Sequence, residues 1–165
     1  MTAHEPTAPG GRRARSARPG AGVGRWDVYD LRPVIHVIGR LTLALGASMA
    51  LPMALDLADG SANWRGFLVA GFLTLATGGA LYILTTRGER RGLSRQQAFL
   101  LTVLVWVALP VWGALPFVYG APEARYVDAF FEAMSGLTTT GATVITGLDD
   151  APRGMLLWRA LLQWF

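Results

Sequence analysis

Three long apolar stretches and one shorter one follow one another along the chain, separated by short polar segments. The long stretches cover 34–57, 64–86 and 96–118. Each is long enough to cross the hydrocarbon core of a bilayer, which takes about 20 helical residues. Their apolar residues are continuous and do not recur on one helical face only, which is typical of membrane-spanning helices. Pro52 predicts a kink in the first stretch, and Pro110 and Pro116 are expected to bend or end the outer part of the third. The pattern therefore predicts an all-α polytopic membrane protein.

The shorter apolar stretch begins near Tyr126 and contains Glu132 as the only charged residue after Asp128. We expect a helix with Asp128 as its amino-terminal cap and its end near Gly136. Such a helix has about ten residues, which is too short to span the membrane. Since spanning segments flank it, the pattern favours a re-entrant helix. It predicts a repeat made of an outer helix, a pore helix carrying Asp128 and Glu132, a turn and an inner helix.

The turn after this helix has the sequence TTTGAT. Gly141 can adopt dihedral angles closed to other residues, and the small side chains leave the backbone carbonyls accessible. Rings of carbonyls replace the water of a bound cation in potassium filters, and the carboxyl end of a short helix adds negative potential. By itself the turn also fits an ordinary helix end, but its membrane context favours a site for a dehydrated monovalent cation. The candidate residues are Thr138, Thr139, Thr140, Gly141, Ala142 and Thr143.

Two acidic residues, Asp149 and Asp150, follow this turn. One interpretation places them at the outer mouth, where they raise the local cation concentration. The other is a solvated acidic turn that caps the next helix. That helix, from Gly154 onward, has about twelve residues and reaches at most ~18 Å, so we expect a fourth span that is incomplete. Arg159 lies within it and is expected to pair with a carboxylate or a backbone carbonyl.

The net charge of +4 arises from 15 basic residues, all of them arginines. They cluster in the tail that precedes the first span and in the loop 85–97, which we interpret as positive-inside topology signals and not as a nucleic-acid site. The amino terminus and this loop are then cytoplasmic, and the candidate turn opens to the outside. Residues 1–25 are rich in Ala, Gly, Pro and Arg, and we expect a disordered basic tail.

The chain contains no cysteine and two histidines, His4 in the tail and His36, which is expected to be an interfacial side chain. The residues form no catalytic acid/base or nucleophile pattern. We therefore predict a protein that is not an enzyme and has no cofactor.

The stretch VDAFFEAMSGLTTTGATVITGLDDAPRGMLLWRALLQWF closely resembles the TrkH family of bacterial potassium-uptake proteins. The resemblance divides the chain into the tail 1–25, an amino-terminal two-helix hairpin with its basic loop over 26–95, and a first pore repeat, incomplete, over 96–165. It implies that the carbonyls of Thr139 and Thr140 bind K⁺ and that Gly141 is the filter glycine. The other residues of the turn complete the filter.

The resemblance also implies a location in the bacterial inner membrane and four such repeats around one ion path, usually in a dimer. The expected partners are membrane lipid, the remaining repeats or a second copy, and a cytoplasmic nucleotide-binding regulatory subunit. The function implied is transport of potassium across the membrane, in which the backbone carbonyls of the filter coordinate dehydrated K⁺. The alternative is a non-conducting membrane module that assembles with or regulates partner subunits.

Overall fold

The computed structural model describes residues 30–86 and 93–165, and every regular element in these ranges is helical. The predicted tail 1–25 and most of the arginine cluster in the loop 85–97 lie outside the described residues. The helices are α1 (Arg32–Ser48), α2 (Ala50–Ala58), α3 (Trp64–Thr85), α4 (Arg95–Gly113), α5 (Leu115–Tyr119), α6 (Tyr126–Leu137) and α7 (Arg153–Trp164).

Three helical segments are long and apolar enough to cross a membrane. They are Arg32–Ala58, Trp64–Thr85 and Arg95–Tyr119, which agree with the three predicted spans within a few residues at each end. The first comprises α1 and α2, and the third comprises α4 and α5. The prediction of an all-helical chain with three apolar spans is therefore confirmed.

Both interrupted spans break just before a proline. α1 gives way to α2 at Met49, and Pro52 has no N–H to donate to the Ser48 carbonyl four residues earlier. α4 gives way to α5 at Ala114, and Pro116 in the first turn of α5 leaves the Trp112 carbonyl without its helical donor in the same way. The predicted kink in the first span is confirmed. In the third span the interruption expected from Pro116 is also confirmed, whereas Pro110 is accommodated inside α4.

Glycines bring α1 and α3 into close contact. A Cβ atom at Gly39 would lie 2.9 Å from the Tyr82 nitrogen, and one at Gly78 would lie 2.8 Å from the Leu43 nitrogen. Small residues permit such backbone approach between membrane helices. Two further pairs of small residues lie four apart on α3. Gly66 and Ala70 are buried, whereas Ala76 and Ala80 are exposed.

His36 is buried in the same hairpin, where its Nδ1 lies 3.1 Å from the Thr85 hydroxyl and its ring packs on Tyr82. The expectation of an interfacial side chain is therefore wrong. A polar ring on the apolar helix α1 becomes acceptable inside because the α3 hydroxyl provides a hydrogen-bonding partner.

Helix α7 packs between the amino-terminal hairpin and α6. Trp158, fully buried, meets Phe67 of α3 edge-on with ring centroids 6.3 Å apart. Its indole Nε1 donates to the Gly113 carbonyl at 3.1 Å. Because Trp158 touches both α3 and the end of α4, it fixes α7 against the second and third spans.

Candidate functional site

The half-length helix α6 begins at Tyr126 and ends at Leu137. Its 12 residues extend about 18 Å, too little to cross the hydrocarbon core. Asp128 is not its amino-terminal cap: that position is Arg125, and Asp128 lies in the first turn, where its charge still opposes the positive end of the helix dipole. The helix extends three residues further towards its amino terminus because Tyr126, whose hydroxyl donates to the Val111 carbonyl at 3.2 Å, anchors its first turn to α4. Burial raises the pKa of Tyr126 further above neutrality, where this hydroxyl is protonated in any case.

Ser135, on the buried side of α6, holds the candidate turn at two points. Its carbonyl accepts the Thr140 amide at 3.0 Å, and its hydroxyl donates to the Ala142 carbonyl at 2.6 Å. Thr139, just before the first point, and Gly141, between the two, have positive φ values of 56° and 74°. A positive φ is unusual for threonine and ordinary for glycine. Ser135 was not among the candidates predicted from the sequence, although a small polar residue one turn before a TTTG segment was a signal that could have identified it.

The turn presents its backbone outward. Thr138, Thr139, Thr140 and Gly141 are exposed, and their carbonyls accept no hydrogen bond within the parts of the chain that the structure describes. The Ala142 carbonyl differs, because the Ser135 hydroxyl already occupies it. Within 30–86 and 93–165 no group of three or more acidic or histidine side chains could hold a metal ion. The oxygen atoms that this turn presents are those of its backbone carbonyls and its threonine hydroxyls.

Glu132 supports the segment that follows the turn. This side chain is 3% exposed. Its Oε1 accepts the Thr143 hydroxyl at 2.5 Å, the Val144 amide at 2.6 Å and the Ile145 amide at 3.1 Å. The sequence placed Glu132 on the pore helix but did not predict these contacts, because they depend on the chain folding back across α6.

The second carboxylate oxygen of Glu132, Oε2, forms an ion pair with Nη1 of Arg159 from α7. The expectation that Arg159 pairs with a carboxylate is confirmed. A buried charge costs several kcal/mol unless it is paired and hydrogen-bonded, and Glu132 has both kinds of partner. The Glu132–Arg159 pair thus joins α6, the segment 143–145 and α7 at one point.

The acidic turn at the other end of the loop contains Asp149 and Asp150, which are exposed and belong to the 3₁₀ turn Leu148–Asp150. They do not cap α7, whose cap position is Pro152. The Gly154 amide in its first turn donates instead to Oδ1 of Asp56, at 2.7 Å. Asp56 is fully buried, and Gly154 and Asn63 provide donors for both of its oxygens.

These features define a class of protein: an all-helical membrane protein in which a half-length helix ends in a turn of exposed carbonyls, braced by a buried ion pair. Residues 65–165 match the family described as TrkH, cation transport protein. That match covers more than half of the chain, and the chain belongs to the TrkH family. The family is one of cation transporters and not of enzymes, which confirms both the resemblance and the prediction of a non-enzymatic protein.

Individual relatives agree with the family match. The chain is 41% identical over 137 residues to a Trk system potassium uptake protein TrkH of Salmonella typhimurium, covering 81% of this chain and 28% of that protein. It is 39% identical over 136 residues to the TrkH protein of Halomonas elongata, with 82% and 28% covered. The crystal structure of the potassium transporter TrkH from Vibrio parahaemolyticus superimposes with a TM-score of 0.75 at 36% identity, covering 82% of this chain and 29% of that one. The chain thus spans about 28% of the length of these curated relatives.

Proposed function

We propose that this chain forms the first part of a potassium uptake protein in which backbone carbonyls coordinate dehydrated K⁺. The observation that carries the proposal is the turn at the end of α6. The carbonyls from Thr138 to Gly141 accept no hydrogen bond from the described residues. A carbonyl buried in a membrane without a partner is costly, so such a row favours a cation as its partner. The names of the relatives, potassium uptake proteins, support K⁺ as that cation.

In this proposal the carbonyls of Thr139 and Thr140 bind K⁺ and Gly141 provides the positive φ that aims them. Thr138 ends α6, Ala142 is anchored by Ser135, and Thr143 is held by Glu132. Each ion loses its hydration water on entry and regains equivalent oxygen contacts from the turn. The chain undergoes no covalent chemistry in this cycle.

The surrounding arrangement is part of the same proposal. The helices of 26–95 form an amino-terminal hairpin, and 96–165 form a pore repeat of outer helix, pore helix, filter and inner helix. The amino terminus faces the cytoplasm of a bacterial cell, and the filter opens to the outside, where Asp149 and Asp150 attract cations. Further repeats of the same kind, or a second copy, complete the ion path. A cytoplasmic nucleotide-binding subunit regulates it from the side of the basic loop.

The proposal is tested by replacing Gly141 with valine in the native gene product, expressed in a host that lacks its own potassium uptake. Valine at φ 74° is strained, so the carbonyls of Thr139 and Thr140 would turn away from the ion path. We expect potassium uptake to fall to background.

A matched control is available at Gly60, which has a φ of 68°. At Gly60, as at Gly141, no atom lies within 4 Å of the position that a Cβ atom would occupy. Gly60→Val imposes the same backbone strain in the loop between α2 and α3, away from the turn. We expect it to retain uptake at equal membrane abundance. Equal uptake by the two variants would refute the role of the turn.

A further inference from the structure

The junction between the amino-terminal hairpin and the start of α7 is built on a buried carboxylate. Asp56, at the end of α2, has no exposed surface. Its Oδ1 accepts the Gly154 amide of α7 at 2.7 Å, and its Oδ2 accepts the Asn63 side-chain amide at 2.5 Å. The sequence separation of 98 residues between Asp56 and Gly154 shows that this contact joins two distant parts of the chain.

Asn63 extends the same chain of hydrogen bonds to a third element. Its Oδ1 accepts the Ala121 amide, in the turn between α5 and α6, at 2.6 Å. Two side chains of the hairpin therefore hold two backbone amides of the pore segment, one before α6 and one at the start of α7. We call these two side chains and the amides of Ala121 and Gly154 the outer clamp.

The backbone around the outer clamp leaves room for nothing larger than glycine. A Cβ atom at Gly154 would overlap the Asp56 carboxylate, and one at Gly120 would lie 2.5 Å from Asn63 Oδ1. A Cβ atom at Gly66 would also lie 2.5 Å from the Gly120 Cα. The contact is thus tight on every side, and its polar atoms are placed by close backbone packing.

Asp56 does for α7 what a cap residue ordinarily does within one helix. The cap position of α7 is a proline, which has no side-chain acceptor for the first amides of the helix. The Asp56 carboxylate accepts one of those amides from outside, and its negative charge faces the positive end of the α7 dipole. The outer end of α7 is therefore stabilised by another helix.

We propose that Asp56 and Asn63 are positioning residues: the outer clamp fixes the start of α7 relative to α6, and thereby sets the geometry of the turn 138–143, which lies between these helices. Both side chains precede residue 65, where the family match begins. The effect on the turn rests on the proposed function, whereas the effect on α7 does not.

A reciprocal exchange tests the hydrogen bonds themselves. In Asp56→Asn, one side-chain oxygen replaces the two that accept from Gly154 and Asn63, and the new NH₂ group faces the NH₂ group of Asn63. In Asn63→Asp, two carboxylates lie side by side and repel each other. In the double variant every bond can form again, because the new amide at position 56 would accept from Gly154 and donate to the new carboxylate at position 63. That carboxylate would in turn accept from Ala121. Both single variants should therefore loosen α7, and the exchange should restore it.

The position of α7 is read out with a buried thiol. The chain has no cysteine, and Met155, next to Gly154, is fully buried, so Met155→Cys provides a single reporter. The native gene product is purified in detergent and treated with a methanethiosulfonate reagent. We expect Asp56→Asn to raise the labelling rate about tenfold, the change in population expected from one lost hydrogen bond to a charged group.

Asp59→Asn is the matched control. It is the same substitution three residues away, in an exposed pair with Arg153 of α7 at 3.2 Å. We expect the labelling rate of this variant to stay at the reporter's background. If Asp56→Asn labels no faster than Asp59→Asn, or if the exchange variant still labels rapidly, the outer clamp is refuted.

The consequence for the turn is measured with the same variants lacking the reporter. We expect Asp56→Asn to change the ratio of sodium to potassium uptake at equal membrane abundance, and the exchange to restore it. Faster labelling with an unchanged uptake ratio would refute the link to the turn. If the unmodified protein takes up no potassium, the proposed function fails, and the labelling rates still decide whether the clamp holds α7.

Discussion

The α1–α3 hairpin and the support of the candidate turn hold their backbones together in different ways. In the hairpin, Gly39 and Gly78 let two apolar helices touch over several turns. Around the turn, one buried carboxylate, Glu132, holds three consecutive residues and an arginine from another helix. The first contact depends on dispersion spread over many atoms, and the second depends on a few directional bonds.

The difference indicates where a single substitution does most damage. When one contact between α1 and α3 is lost, many other weak contacts remain, and a small shift of the helices can restore their packing. A loss at Glu132 leaves Arg159 and two backbone amides without their partner. We therefore expect the turn to be the more easily disrupted region, and four substitutions test this ranking from the largest expected effect to the smallest.

Glu132→Gln should have the largest effect. The substitution removes the charge that compensates Arg159 and directs an amide group at the guanidinium or at the backbone amides. Breaking one side of a buried ion pair costs about 3–5 kcal/mol. Equilibrium unfolding in mixed micelles measures this loss. An unfolding free energy within about 1 kcal/mol of the unmodified protein, which is what surface pairs contribute, would show that the pair is dispensable.

Gly78→Ala should come next, and it tests the hairpin. The new methyl group would meet the Leu43 nitrogen, and overpacking of this kind costs about 1–3 kcal/mol. Gly79→Ala is the matched control, since its methyl group meets only the Leu43 Cδ2 at 4.0 Å and gains helix propensity. The same unfolding measurement should separate the neighbours; equal values would refute close glycine packing at Gly78.

Ser135→Ala should cost less, because it removes one hydrogen bond, to the Ala142 carbonyl, worth about 0.5–1.5 kcal/mol. Its effect on potassium uptake should exceed its effect on stability, since the lost bond lies at the turn. Ser48→Ala removes a comparable bond, to the Leu45 carbonyl, at the kink of the first span. Loss of uptake in both variants alike would show that the turn has no special dependence on Ser135.

Arg153→Gln should have the smallest effect. Its partner Asp59 is about one-third exposed and Arg153 itself is largely exposed, so the pair contributes about 0–1 kcal/mol. Raising the salt concentration should abolish even this difference, because exposed charges are screened. A large loss that persists in high salt would mean that Arg153 has a second contact important for α7.

Several features followed from local sequence alone. Apolar length predicted the three spans, because a chain crossing hydrocarbon must satisfy its own backbone in a helix of about 20 residues. Pro52 predicted the break in the first span, since a missing N–H acts on the same helix. The half-length of α6 and the need of Arg159 for a partner followed from the cost of polar groups in lipid.

Other features were decided only when distant segments met. Asp56 looked like a residue at a helix end, and it became a buried acceptor because Gly154, far along the chain, supplied an amide. Asp128 was displaced from the cap of α6 by contacts between Tyr126 and α4. Hydropathy and spacing report what a residue requires of its surroundings, whereas the identity of the partner depends on which backbones pack together, and in this chain glycine contacts and long-range hydrogen bonds determine that packing.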